Sequence, residues 1–188
     1  FSASSCVLMS VLEQGQIQIH TENIFPIIKK AVYSGHEVFL RELVSNGTDA
    51  ISKRRMAAMA GDCSEGDEGL INITVDREAK TVKISDNGIG MTADEVKKYI
   101  NQVAFSSAED FLEKYKQESD AIIGHFGLGF YSSFMVAKEV ELITCSARPD
   151  SEAVRWVCDG SPAFKLESHE RSEPGTDVIL HLMDDELE

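Results

Sequence analysis

Positive charge, paired cysteines and long apolar runs are all scarce in this chain of 188 residues. Lys and Arg number 18 against 32 Asp and Glu, a formal net charge of −14, which opposes a broad electrostatic grip on nucleic acid or an anionic membrane. A small anionic ligand in a local pocket remains compatible with that charge. No apolar run approaches the ~18 residues of a membrane span. The opening FSASSCVL has neither the basic start nor the long apolar stretch of a secretory leader, so a cytoplasmic protein is expected. Cys6, Cys63, Cys145 and Cys158 lie far apart with no CxxC, and no histidine pair forms HExxH. Free thiols are therefore expected, and a zinc site or metal hydrolase is not.

What is present is ordinary globular material, 43% hydrophobic and 7% aromatic, at a length that favours one domain. Residues 1–10 read as a leader or appended tail, and 11–188 as a single domain. Val11 to Ile19 alternates loosely, as a strand does, and Asn23 caps a helix through about Ser34. A second helix begins near His36 and, if it survives the run Ser45 to Asp49, reaches about Ala60. Ile71, Ile73, Val75 and then Val82, Ile84 alternate around Asp76 to Lys80, which predicts a hairpin. Thr92 and Glu95 form a capping box that opens another helix. A helical pattern from Phe130 to Ala137 precedes four strand-like stretches, EVELITC, AVRWVC, AFKLES and TDVILHL, divided by turn residues. Helices early and strands late predict an α+β two-layer fold, a mostly antiparallel sheet with helices on one face.

Three stretches are poorly explained by stability alone. If the second helix is continuous, Glu42, Asn46, Asp49 and Lys53 fall within an arc of about 60° and make one polar stripe. Leu40, Leu43, Val44, Gly47 and Ile51 occupy the far side. Asn, Gly, Thr and Asp within that helix cost on the order of 2 kcal/mol of propensity, and such local violations concentrate at functional sites. The alternative is a turn at Asn46-Gly47 where two helices meet. The second stretch is Asp86-Asn87-Gly88-Ile89-Gly90-Met91 at a strand end. The third is Gly124 to Phe130, a GxxGxG opening a helix, where glycines allow backbone N–H groups to approach a phosphate at the helix's positive end. It is not a P-loop, because no GK[ST] follows, nor a Rossmann fingerprint, because no strand immediately precedes it.

Taken in order, Glu42/Asn46/Asp49/Ala50, Asp86 to Met91, Gly124 to Phe130 and Gly175-Thr176 resemble the nucleotide-binding boxes of the GHKL ATPases. The wording FLRELVSNGTDAISKRR, ISDNGIGMT, IGHFGLGFYSSF and GTDVILHL is similar to the heat-shock protein 90 chaperones in their bacterial form, over about residues 13–184, the amino-terminal domain of that family. The resemblance implies a Bergerat-type sandwich that binds ATP or ADP with Mg²⁺. Glu42 would be the general base. Asn46 would offer its amide oxygen to Mg²⁺, Asp86 would accept a hydrogen bond from the adenine amino group, and Thr176 would support that contact through water. Gly90 would let the base approach the backbone, with Met91, Ala50 and Phe130 lining the pocket. Gly124, Gly127 and Gly129 would shape the phosphate loop, with Asp49 and Lys53 near the polar end of the nucleotide. About 101–123 would be a lid.

Relatives carry an Asn and a Lys where this chain has Tyr99 and Phe105, so contacts from that segment to sugar or phosphate are expected to differ. The resemblance also implies client proteins, a homodimer in the full-length chaperone, and a monomer with weak or absent turnover for this stretch alone. Val11 to Ile19 is the candidate for a strand exchanged between partners. Three rivals share the boxes or part of them. A topoisomerase or mismatch-repair ATPase would more often be basic. A sensor histidine kinase would need its phosphoacceptor on a separate helix pair, and His36 precedes Glu42 on the same helix. A nucleotide-binding module without turnover is the third.

Overall fold

The computed structural model describes residues 10–16, 37–101, 128–161 and 163–184. The helix expected from Asn23, the stretch 102–123, Gly124 and Gly127 lie outside the described residues. The described strands are β1 (Val11–Gln16), β2 (Ile71–Asp76), β3 (Thr81–Asp86), β4 (Ala137–Cys145), β5 (Val154–Cys158), β6 (Ala163–Ser168) and β7 (Gly175–Leu182). They form one sheet in the order β1-β6-β5-β4-β7-β3-β2, every pairing antiparallel. Helices cover one face, the expected α+β two-layer arrangement.

The second predicted helix is continuous. α1 runs Val38–Ala60 through the Ser45–Asp49 stretch without a break, about 35 Å of helix. Thr48 returns its hydroxyl to the Val44 carbonyl at 3.0 Å, a local bond that lets a poor helix former stay in place. The helix stops at Gly61, whose φ of 82° is the left-handed cap geometry glycine adopts freely. Leu43 and Gly47 are buried against the sheet, while Asn46, Asp49 and Lys53 are exposed, so the stripe predicted from spacing exists.

The hairpin β2–β3 pairs Ile71 with Asp86 through Asp76 with Thr81. Asp76 Oδ1 closes its turn by accepting the Glu78 and Ala79 N–H groups at 3.0 and 2.9 Å. The capping box also forms: Thr92 accepts from the Glu95 N–H and Glu95 from the Thr92 N–H. The helix it opens is shorter than the pattern suggests. α2 spans Ala93–Val96 and then widens into a π-helical turn over Lys97–Asn101. After α3 (Leu128–Tyr131) a 3₁₀ turn covers Ser132–Met135. The helical pattern expected to reach Ala137 ends there because Ala137 pairs with Leu182 as the start of β4.

Alternation along the strands sorts the two faces. Val140, Leu142, Val154, Trp156, Leu166, Val178 and Leu180 point to the helix side and are buried. Phe130 meets Trp156 edge-on at 5.7 Å. Truncating Trp156, with no exposed surface, to Ala would cost about 3–5 kcal/mol. The other face is a charge ladder. Arg155 bridges Glu141 at 2.8 Å and Glu167 at 2.9 Å, His181 reaches Glu141 at 2.7 Å, and Lys165 pairs with Glu167. At the edge, Ser10 exchanges hydrogen bonds with Ser168.

Candidate functional site

The polar stripe of α1 and the ends of three strands converge. β3, β7 and β4 are neighbours, and their register sets Asp86 opposite Thr176 and Thr176 opposite Thr144. All three occupy the inward phase of strands that are otherwise apolar on that side. The result is one polar row at the end of a hydrophobic sheet face. α1 lies over it at Gly47, where a Cβ would come within 3.4 Å of Asp86 Cβ and 3.1 Å of Ile71.

The turn after β3 is fastened on every side. Gly88 donates its N–H to Asp86 Oδ1 at 2.8 Å, and Ile89 donates to the Ala50 carbonyl at 3.0 Å. A Cβ on Gly88 would sit 2.6 Å from Ala50, so this glycine lets the turn dock on the helix. Ala50, expected as pocket lining, is thus partly occupied in receiving the turn. The Ile89 carbonyl accepts the Ala147 N–H at 2.7 Å, and Met91 donates to Thr144 Oγ1 at 2.9 Å. Gly90 has φ 61°, and a Cβ there would fall 1.8 Å from the Cys145 carbonyl oxygen. That backbone contact already demands glycine, before any ligand is considered.

Asn87 faces away from this row. It accepts from the Leu70 N–H, donates to the Glu68 carbonyl, and its own carbonyl accepts from Arg54 at 2.8 Å. A cleft of about 390 Å³ on that flank of α1, lined by Arg54, Arg55, Glu65 and Glu68 among others, contains none of the residues predicted for the site.

Thr144 Oγ1 lies 3.0 Å from Thr176 Oγ1 and 3.1 Å from the Gly175 carbonyl. With the Met91 N–H also directed at it, Thr144 connects the turn, β4 and β7. Burial pushes the Asp86 carboxyl up to about 6. The N–H groups of Gly88 and Thr176 and the Arg171 guanidinium work against that rise, and Asp177 adds to it. A carboxylate at the end of an apolar face with too few donors is an acceptor suited to a ligand's N–H.

Residues 33–162 match the family described as histidine kinase-, DNA gyrase B-, and HSP90-like ATPase. The chain belongs to this family. Within it, the chain is 56% identical over 174 residues to the chaperone protein HtpG of Bacteroides thetaiotaomicron, covering 93% of this chain and 25% of that protein. The HtpG of Porphyromonas gingivalis is 52% identical over 178 residues, 94% of this chain and 26% of that protein. That of Streptomyces coelicolor is 40% identical over 183 residues, 94% and 28%. The chain therefore spans about a quarter of the length of the first curated relatives it matches.

The described structure of this HSP90-like ATPase chain gathers Ala50, Asp86, Gly90, Met91 and Thr176 around the turn after β3, beside the Glu42, Asn46, Asp49 and Lys53 stripe. Phe130 is spent in the core against Trp156 and Tyr131. Gly129 lies in α3, and Tyr99 lies in the π turn. Thr144 was not among the residues expected at the site, and Gly88, within the Asp86–Met91 stretch, carried no expected role. Thr144 had a usable sign, a hydroxyl in the inward phase of the strand VELIT, after Val140 and Leu142.

Proposed function

We propose that this chain binds ATP with Mg²⁺, hydrolyses it slowly on its own, and serves as the ATPase module of an ATP-dependent chaperone. The observation that carries the reading is the Asp86–Thr176–Thr144 row, a carboxylate acceptor and two hydroxyls on an otherwise apolar sheet face. An adenine ring suits that surface because it is flat, apolar on its faces and offers an amino N–H at its edge. Asp86 accepts that N–H, Thr176 supports the contact through water, and Met91 and Ala50 flank the base.

The stripe on α1 supplies the polar end. Asn46 and Glu42 are one turn apart, Asn46 exposed and Glu42 half-buried. An amide oxygen beside open solvent fits Mg²⁺, a hard cation that keeps its waters and takes phosphate oxygens. When bound, the ion neutralises phosphate charge. Glu42 orients a water and takes its proton as general base, with Asp49 and Lys53 beside the phosphates. Dimerisation through the strand at Val11, and client binding, belong to the full-length chaperone.

A cytoplasmic setting is supported by free thiols at Cys63, Cys145 and Cys158. Among the described residues, no helix is long and apolar enough to cross a membrane. The net charge of −14 disfavours the DNA-dependent members of the family.

Calorimetric titration with Mg-ADP and Mg-ATP, with GTP as control, tests the reading. Saturable adenine-selective binding is expected, and a folded chain that binds neither nucleotide would overturn it. Glu42→Ala should leave affinity within about twofold while hydrolysis by the full-length protein falls by 10²-fold or more. Retained hydrolysis would remove Glu42 from the role of base.

A further inference from the structure

Among the described residues, Arg171 links the outer face of the sheet to the Asp86 end of β3. Arg171, in the turn before β7, donates from Nε to the Glu173 carbonyl at 2.9 Å. Its Nη1 pairs with Asp177 Oδ1 at 2.7 Å, and its Nη2 reaches the Asp86 carbonyl at 3.4 Å. Asp177 lies in the outward phase of β7, between the buried Thr176 and Val178, and also pairs with Lys83 at 3.6 Å. The Arg171 side chain is 17% exposed, so solvent screens its field incompletely. Gly175 makes room for it: at φ 133°, a Cβ there would meet the Asp86 carbonyl at 2.1 Å and Arg171 Nη2 at 3.0 Å.

We propose that Arg171 is a positioning residue for Asp86: from the opposite face it clamps the ends of β3 and β7 through Asp177 and the Asp86 carbonyl, and so sets a positive charge behind the carboxylate that receives a ligand's amino group. The inference rests on the adenine-reading role proposed for Asp86. Two charged side chains act on Asp86 and they oppose each other. Arg171 favours the carboxylate, and Asp177 disfavours it. α1 meets Asp86 with Gly47, which carries no charge, and the remaining help comes from the backbone N–H groups of Gly88 and Thr176. Nothing in ExxxNxxDA or DxGxGM identifies Arg171, because it acts from outside both boxes.

Arg171→Gln and Asp177→Asn break the same ion pair and remove charges of opposite sign. A strut that merely holds the turn would give both variants the same consequence, whereas electrostatic tuning gives opposite ones. The experiment follows the Asp86 carboxyl carbon by NMR against pH in the nucleotide-free chain, for wild type, Arg171→Gln, Arg171→Lys and Asp177→Asn. The midpoint is expected to rise by about half a unit or more in Arg171→Gln, to fall in Asp177→Asn, and to stay near wild type in Arg171→Lys.

Titration with Mg-ADP between pH 5.5 and 8 gives the functional counterpart. Arg171→Gln should bind about two- to threefold more weakly near pH 6.5 and converge on wild type by pH 8. If Arg171→Gln does not fold, Arg171→Lys and Asp177→Asn decide. An unchanged Asp86 midpoint in Asp177→Asn, or shifts of the same sign in Arg171→Gln and Asp177→Asn, would overturn the proposal. If the wild type binds no adenine nucleotide while the midpoints move in opposite directions, the coupling of Arg171 to Asp86 stands and the adenine reading fails.

Discussion

Asp86 and Glu141 are carboxylates on one sheet, two strands apart, and the fold drives them in opposite directions. Asp86 faces the helix layer and is pushed up by burial to about 6. Glu141 faces outward. Burial also acts to raise it, but hydrogen bonds from Arg155 and His181 outweigh that and hold it below the usual carboxylate range. The difference is partners as well as depth: Asp86 is the more deeply buried and has the weaker set of donors. Every charge on the outer ladder has an opposite neighbour, whereas Asp86 has two backbone N–H groups, two hydroxyls nearby and one guanidinium reached across the backbone. A fold selected for stability alone would treat Asp86 as it treats Glu141. Leaving it short of donors costs stability in the empty protein, and a ligand that brings a donor recovers it.

The most severe way to break the contrast is to remove the charge of Asp86 and keep its shape. Asp86→Asn should reduce adenine-nucleotide affinity by about 100-fold or more, since the amide keeps one acceptor and adds a misplaced donor. The same change should stabilise the empty chain. A carboxyl raised in the folded state contributes stability below its unfolded value of 3.8 and loses it as pH rises through about 6. At pH 7 the wild type therefore carries a penalty of at most about 3 kcal/mol that Asn avoids. Urea melts at pH 7 would show the gain and calorimetry the loss. A variant that binds normally, or that is less stable at pH 7, would mean Asp86 is an ordinary turn residue.

A gentler change sharpens the comparison by taking away one hydroxyl. Thr144→Val keeps the volume but strands the Met91 N–H and deprives Thr176 of its neighbour. An unsatisfied buried donor costs about 1–3 kcal/mol. The expected result is a loss of that size in urea melts, with adenosine affinity falling about three- to tenfold because Met91 and Thr176 lose their common anchor. Wild-type affinity with full stability would separate the row from the site.

Much of this was legible in the chain. The arc of Glu42, Asn46, Asp49 and Lys53 could be read because helical spacing is rigid, but continuity through Gly47 could not be read locally, since poor helix formers at Asn46-Gly47 also suit a turn and only the resemblance favoured an unbroken helix. The hairpin and the late strands announced themselves by period two. Strand order was not legible: nothing local tells β7 to insert between β4 and β3, and only that insertion aligns Asp86, Thr176 and Thr144. For the same reason the Cys145 carbonyl that excludes a Cβ at Gly90 could not be foreseen, a contact 55 positions away in sequence. The π turn at Lys97–Asn101 interrupts a pattern that begins with a perfect capping box, so the start of that helix could be predicted but not its end.

The smallest effect completes the contrast from the other face. Glu141→Gln should lower stability at pH 7 by about 1 kcal/mol, a modest figure because the ladder is partly open to solvent, which screens it. Its pH window also differs from that of Asp86→Asn. A carboxyl held low in the folded state contributes stability above its unfolded value of 4.5 and loses it as pH falls through the folded value. The Glu141→Gln deficit should therefore shrink only below about pH 4.5, while the Asp86→Asn gain should already fade below pH 6. Melts of both variants from pH 3.5 to 8 give two curves of opposite sign with separate windows. Curves of the same sign would mean that hydrogen-bond partners do not separate these carboxylates, and the shortage of partners around Asp86 would cease to mark a ligand site.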